Sequence, residues 1–280
     1  MAEIGQWNTM MAVEEHDAGL LLNGGQHGLI LAPFKYLPED AEPGEMFDVF
    51  VYPDSEDRLI ATTETPLAQV GEYAFLEVLS VNPKVGAFLD WGLAKDLMLP
   101  FGEQVGKVRK GLRVVVAVCL DEKTQRVIAS MRTRRNLEKT APLYDDGQPV
   151  SLLVAEETQL GFNAIINHRH MGLLYHSELH EPLSIGQKIE GYVKSVRPGG
   201  KIDLTLNKAG YGRVASLTDD ILEALKQTED GFLDLGDKSP PHQIQRVFGV
   251  SKKAYKQALG ALYKQRKIVF EGEGIRLAPE

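Results

Sequence analysis

The sequence predicts a mostly β chain with a C-terminal α+β domain: three tandem five-stranded barrels followed by a winged helix. Three observations predict it. Residues 71–131 hold five short runs rich in Val, Leu and aromatics, at about 73–78, 85–92, 96–101, 111–118 and 126–130, separated by Gly, Asp and Pro. The same layout occurs on either side of that stretch, and a repeat of this length is the signature of tandem modules. The last 60 or so residues then exchange alternation for helical periodicity.

The repeat is fixed by landmarks. Each unit opens on a Gly-polar pair, Gly5-Gln6, Gly71-Glu72 and Gly147-Gln148. Each fourth strand follows a glycine, Gly44, Gly111 or Gly186, and each last strand follows a basic residue, Arg58, Arg126 or Lys201. The separation from that glycine to that base is 14, 15 and 15 residues. Five strands in about 60 residues suit a small Greek-key barrel of the oligonucleotide-binding type. The expected domains are residues 1–66, 67–132 and 147–210 as barrels one to three, 133–146 as a basic linker, and 216–280 as the winged helix.

In barrel one, Asn23-Gly24-Gly25 signals a hairpin turn and Pro53-Asp54-Ser55-Glu56-Asp57 the turn before the last strand. The three acids of that turn lack the glycine and terminal Glu of a calcium loop, so it reads as a solvated turn. A short linker at 65–70 implies that barrels one and two touch. In barrel two, alternation turns Phe88 and Asp90 to one side of the second strand and Ala87 and Leu89 to the other. Phe88 and Trp91 beside Arg126 then read as a stacking platform with a phosphate partner, because every base has a π-face and every nucleotide a charge. The alternative is that the two rings cap the barrel core.

Residues 132–146, from the last residue of barrel two through the linker, carry Arg132, Arg134, Arg135 and Lys139, either as a solvated segment or as a second phosphate contact. In barrel three, Tyr175, Lys194, Arg197 and Lys201 place one ring and three cations on a barrel. His168, His170, His176 and His180 lack the spacing of a zinc site, and no metal or cofactor is expected.

For the last domain, Thr218 is predicted to cap a helix whose apolar face is Ile221, Leu222 and Leu225. A short strand at 231–235, a helix starting at Pro240-Pro241, a turn at Gly249-Val250-Ser251, a third helix to about Arg266 and a terminal hairpin complete the winged-helix order. From His242 to Lys267 there are seven basic residues and no acidic one. Tyr255, Ala258, Leu259 and Leu262 form the buried stripe of the third helix, which leaves Lys253, Lys256, Gln257 and Lys264 on its open face. Arg246, Lys252, Lys253, Lys256 and Lys264 are the expected phosphate contacts there. The acidic wing tip, Glu271 and Glu273, opposes such a contact through the wing.

Charge distribution agrees with this division. The 280 residues sum to −8, but residues 1–69 alone carry 13 acids and 2 bases, and every later segment is neutral or within one charge of it. A polyanion is repelled by barrel one and free to engage the rest. A protein partner at the acidic barrel is a further expectation. The longest apolar run, 114–120, is far too short for a membrane span, and the N-terminus lacks a secretory pattern. One cysteine, Cys119, cannot pair internally and reads as a buried thiol, so the expected compartment is the cytoplasm.

The barrels resemble the S-one type RNA-binding domain, whose motif is a Gly-any-Phe strand, a Gly-Leu-Val-His strand and a closing base. Barrel two matches at Gly86-Ala87-Phe88 and Arg126 but has Leu99 at the His place. Barrel three has Gly172-Leu173-Leu174, with Tyr175 at the His place, Asn163 at the Phe place and Lys201 as the base. Barrel one keeps only Arg58; Gly19 and Leu31 stand where the rings would be. The whole chain resembles the conserved virulence factor B family, on the three barrels, the winged helix and the strings at 51–62 and 86–93. The resemblance implies RNA binding shared between a barrel and the winged helix, and a role in gene regulation. The expected function is therefore a non-catalytic binder of single-stranded RNA. The alternative is a DNA-binding transcription regulator acting on duplex DNA through the winged helix. A nuclease would need clustered metal carboxylates or a catalytic domain, and the sequence offers neither.

Overall fold

The computed structural model describes residues 2–121, 123–179, 181–207, 211–228 and 230–278, with the backbone alone at 211–216. His180, one of the histidines weighed above, lies outside the described residues. The chain divides into two compact units, residues 1–142 with 151–189, and residues 143–150 with 190–280.

Three closed five-stranded barrels form the β part. Barrel one consists of β1 (Gln6–His16), β2 (Gly19–Asn23), β3 (Leu29–Pro33), β4 (Met46–Pro53) and β5 (Leu59–Thr62). Barrel two consists of β6 (Tyr73–Asn82), β7 (Gly86–Leu89), β8 (Leu97–Pro100), β9 (Arg113–Leu120) and β10 (Val127–Ser130). Barrel three consists of β11 (Pro149–Glu157), β12 (Gly161–Ile166), β13 (His170–Tyr175), β14 (Lys188–Arg197) and β15 (Lys201–Thr205). In each, the third strand meets the fifth and the fourth closes onto the first. The third-to-fifth pairing is parallel, at Leu31–Ile60 and at Met98–Ile128. Each first strand carries a bulge, at Ala12/Glu14, Val78/Ser80 and Val154/Glu156. The extra residue bends a long strand so that it can serve two neighbours.

The repeat landmarks have a backbone cause. Gly44, Gly111 and Gly186 sit at φ of 98°, 80° and 85°, a region that other residues enter only at a cost. Each donates its N–H to the first strand of its own barrel, at Ala12, Val78 and Val154, at 2.7 to 2.8 Å. A second constraint operates where the second strand begins. A Cβ on Gly19, Gly86 or Gly161 would lie 1.9 to 2.2 Å from the carbonyl oxygen of Ala32, Leu99 or Leu174. Strands two and three approach so closely there that no side chain fits.

Barrels one and two share a core. Phe50 and Tyr52 of β4 pack with Trp91, Leu89 and Leu97, so the expected contact between these barrels is present. Barrels two and three meet through Tyr73, Val115, Leu153 and Ile165. The Tyr73 N–H donates to His168 Nδ1 at 2.9 Å across that junction, which gives this histidine a structural role. His168 and Asn167 both have positive φ, 60° and 47°, and form the tight hairpin turn between β12 and β13.

The second unit contains α1 (Tyr211–Gln227), β16 (Phe232–Leu233), α2 (Pro241–Phe248), α3 (Lys252–Lys264), β17 (Ile268–Glu271) and β18 (Gly274–Leu277). The three strands form one sheet in the order β16-β18-β17. Pro241 starts α2 at the position where a missing N–H costs nothing. Gly249 ends it in the left-handed conformation at φ 66°, and the Ser251 side chain accepts from the Ala254 N–H to cap α3. One expectation is corrected. Thr218 does not cap α1; it is buried inside a helix that begins seven residues earlier. Leu217, Ile221 and Leu225, four residues apart, are all buried, so the apolar stripe runs back past Thr218 and packing overrides its capping preference.

Candidate nucleic-acid interface

In barrel two, β7 alternates as its pattern requires. Ala87 and Leu89 are fully buried, Phe88 is half-buried on the opposite face, and Asp90 is exposed. Phe88 lies across from Met98 of β8 and lines a cavity of about 260 Å³ with Lys95, Arg126 and, from barrel one, Pro53, Ser55 and Asp57. The ring and the closing base therefore share one pocket.

Trp91 lines the same cavity, but its ring does not stand open as a stacking platform. It is 2% exposed, with its ring packed edge-on against Phe50 at 5.6 Å and Tyr52 at 6.1 Å. Its indole N–H donates to the Ala68 carbonyl at 2.7 Å. A large ring whose only polar group is satisfied gains more from burial than from solvent, so Trp91 fastens barrel one to barrel two.

The acidic turn of barrel one covers part of this face. Asp57 is ion-paired with Arg126, each about half exposed. Lys95 Nζ donates to the carbonyls of Pro53 and Asp54 at 2.9 and 2.7 Å. Burial lowers the Lys95 pKa despite the nearby acids. The turn itself is held by Asp54, which accepts from the Glu56 and Arg58 N–H groups at 2.8 and 3.0 Å and pairs with the Arg58 side chain at 2.8 Å. The turn is thus joined to barrel two by the Asp57 carboxylate and by the Pro53 and Asp54 carbonyls.

In barrel three, Tyr175 ends β13 opposite Gly161 and is half-buried. Asn163, at the position where the S-one pattern has Phe, donates to Glu156 at 2.9 Å, and Glu156 in turn receives Arg134 from the linker at 2.8 Å. Those two hydrogen bonds hold the Glu156 carboxyl below the usual range, Arg134 first. In the second unit, Lys194, Arg197 and Lys201 lie on the β14–β15 hairpin and are exposed. Arg197 is engaged by Asp203 at 2.8 Å.

The winged helix presents the strongest group of cations. Tyr255, Ala258, Leu259 and Leu262 are buried as the periodicity requires. Lys253, Lys256 and Lys264 are exposed on the other side of α3, and Arg246 is exposed on α2. Lys256 reaches Asp237 at 3.7 Å, and Lys252 Nζ donates to the Lys238 carbonyl at 3.1 Å. The Tyr255 hydroxyl donates to the Leu235 carbonyl at 2.8 Å, which locks the helix onto the strand side of the domain. At the wing, Glu271 pairs with Arg276, so its charge is partly spent within the hairpin.

Sequence reasoning missed Lys95 and Arg113. Lys95 lies in the β7–β8 connection, outside any alternating run, and Arg113 opens a strand whose other residues are apolar. Among the described residues no group of three or more His, Cys, Asp and Glu could hold a metal, and no helix is long and apolar enough to cross a membrane. Cys119 is half-buried rather than fully buried as expected, and partial burial pushes its thiol up to about 11.

Residues 219–277 match the CvfB-like winged helix domain. The chain carries a CvfB-like winged helix domain. Residues 4–64, barrel one, match the S1 domain. The chain is 28% identical over 285 residues to the uncharacterized protein YitL of Bacillus subtilis, covering 95% of this chain and 91% of that protein. It is 28% identical over 248 residues to conserved virulence factor B of Staphylococcus haemolyticus, covering 85% and 82%. A crystal structure of a multidomain protein with nucleic acid binding domains from Streptococcus pneumoniae superposes with a TM-score of 0.41 at 22% identity, covering 98% of both chains. S1 and winged-helix modules together support nucleic-acid binding as the activity of this chain.

Proposed function

We propose that this chain is a non-catalytic RNA-binding protein that holds single-stranded RNA through barrels two and three and the winged helix, and that it regulates gene expression by doing so. The observation that carries this reading is the open face of α3. Four buried residues fix its orientation, and Lys253 and Lys264 project from it with no ion-pair partner among the described residues. Unneutralised cations on a rigid element are what a phosphate backbone selects. Phe88 with Arg126 in one pocket supplies a place for a base beside a charge. Lys253→Glu with Lys256→Glu reverses two charges without touching the buried stripe. Affinity for a labelled single-stranded RNA, read by fluorescence anisotropy, should fall about tenfold or more at ~0.1 M salt. Unaltered affinity in the folded double variant removes the winged helix from the mechanism. The α2–Gly249–α3 geometry also supports a second reading, a duplex-DNA regulator with α3 in the major groove. The paired, acidic wing is unfavourable to that mode.

A further inference from the structure

A second cavity lies at the junction of barrels two and three, within the first unit, and has a volume of about 630 Å³. That is inside the roughly 300–1,000 Å³ typical of small-molecule sites. Its floor is apolar, with Leu112, Val114, Met131 and Ile185. Its rim carries four arginines, Arg113 at the start of β9 and Arg132, Arg134 and Arg135 in the turn after β10.

The four are not equivalent. Arg134 pairs with Glu156 at 2.8 Å and Arg135 with Glu103 at 3.4 Å. Arg113 and Arg132 have no carboxylate within ion-pair distance among the described residues. Both are tethered instead to backbone oxygens. Arg113 Nη2 donates to the Phe75 carbonyl at 3.2 Å, with its guanidinium 4.7 Å from the Phe75 ring centre. Arg132 Nε donates to the Gly102 carbonyl at 2.8 Å. Each fork is thereby oriented while other N–H groups stay open, and the rim keeps two positive charges over an apolar floor. A guanidinium fork matches phosphate oxygens, and an apolar floor beside it accepts the face of a base.

We propose that this cleft is a nucleotide subsite for single-stranded RNA, in which Arg113 and Arg132 hold phosphate and the floor receives the base. The inference rests on the reading that the chain binds single-stranded RNA. It adds to the Phe88 pocket a second contact for the same strand, on a separate surface.

Phenylglyoxal labelling of the full chain, read by mass spectrometry, tests it without a variant. The probes are a twelve-nucleotide mixed-sequence RNA, adenosine monophosphate and inorganic phosphate, with RNA binding followed in parallel by anisotropy. The RNA should protect Arg113 and Arg132 from labelling. The Arg113→Gln, Arg132→Gln variant, checked for native unfolding behaviour, should bind the RNA about tenfold more weakly. The slope of log affinity against log salt should flatten by about 1.4, from roughly 0.7 per phosphate contact on a single strand. If the RNA binds while both arginines label at the free rate and the variant matches the parent, the cleft is excluded and RNA binding stands. If the parent does not bind RNA at all, the reading beneath it fails. Equal protection by the mononucleotide at equal concentration assigns the site to free nucleotides and overturns the strand.

Discussion

Replacing Asp57 by asparagine should tighten the binding of single-stranded RNA. Asp57 is the carboxylate that occupies Arg126, the closing base of barrel two, and a phosphate placed there must displace it. The substitution is conformationally mild. Asp57 has φ 63°, a left-handed value that Asn tolerates well, and the turn is held by Asp54 rather than by the Asp57 side chain. Both partners are nearly half exposed, at 48% and 45%, so the pair is worth about 0–1 kcal/mol in water and salt. Removing the competitor should therefore raise affinity by at most about fivefold at low salt, from the relation of ~1.4 kcal/mol per tenfold. Anisotropy titrations of the parent, Asp57→Asn, Arg126→Gln and the double variant complete the cycle. Arg126→Gln alone should weaken binding, and Asp57→Asn should then have little further effect. An Asp57→Asn gain that persists in the Arg126→Gln background would show that the carboxylate acts through the general field of barrel one. No gain from Asp57→Asn together with unaltered affinity in Arg126→Gln would mean that Arg126 takes no part in binding.

Two other outcomes follow from the packing. Trp91→Phe loses the bond to the Ala68 carbonyl and part of the contact with Phe50 and Tyr52, and should destabilise the protein by about 1–3 kcal/mol in denaturant unfolding while leaving RNA affinity of the folded protein unchanged. A selective loss of RNA affinity with intact stability would return Trp91 to the stacking surface. His168 is neutral when its Nδ1 accepts from the Tyr73 N–H, and burial holds its pKa below the ordinary 6.5. Its contribution to stability is present above that value and is lost as pH falls from 6.5 towards the lowered native pKa. His168→Gln should flatten the pH dependence of thermal unfolding in that window, and a curve parallel to the parent's refutes the assignment.

The barrels were legible because backbone geometry writes itself into glycine positions. Gly44, Gly111 and Gly186 are needed for left-handed φ, so their spacing marks each unit; Gly19, Gly86 and Gly161, needed for close strand approach, carry a second such signal that the repeat landmarks did not include. The winged helix was legible through Pro241, Gly249 and Ser251, each of which has a local mechanism. The start of α1 was not, because Thr218 carries a capping preference that packing overrides. The fate of Trp91 was not legible either, since Phe50, Tyr52 and Ala68 reach it from another barrel or the linker. Separation in sequence likewise hides Asp57 against Arg126, 69 residues away, and the cleft that Arg113 and Arg132 both line. Local rules reveal elements; contacts between barrels determine which exposed-looking groups remain available.

The central claim is that this surface grips an unpaired polyribonucleotide. Competition of unlabelled single-stranded RNA and of duplex DNA against one labelled RNA strand, repeated across salt concentrations, tests it most directly. The account predicts displacement by the single strand at much lower nucleotide concentration than by the duplex, with affinity falling steeply as salt rises. Duplex DNA displacing the strand as well or better would contradict it.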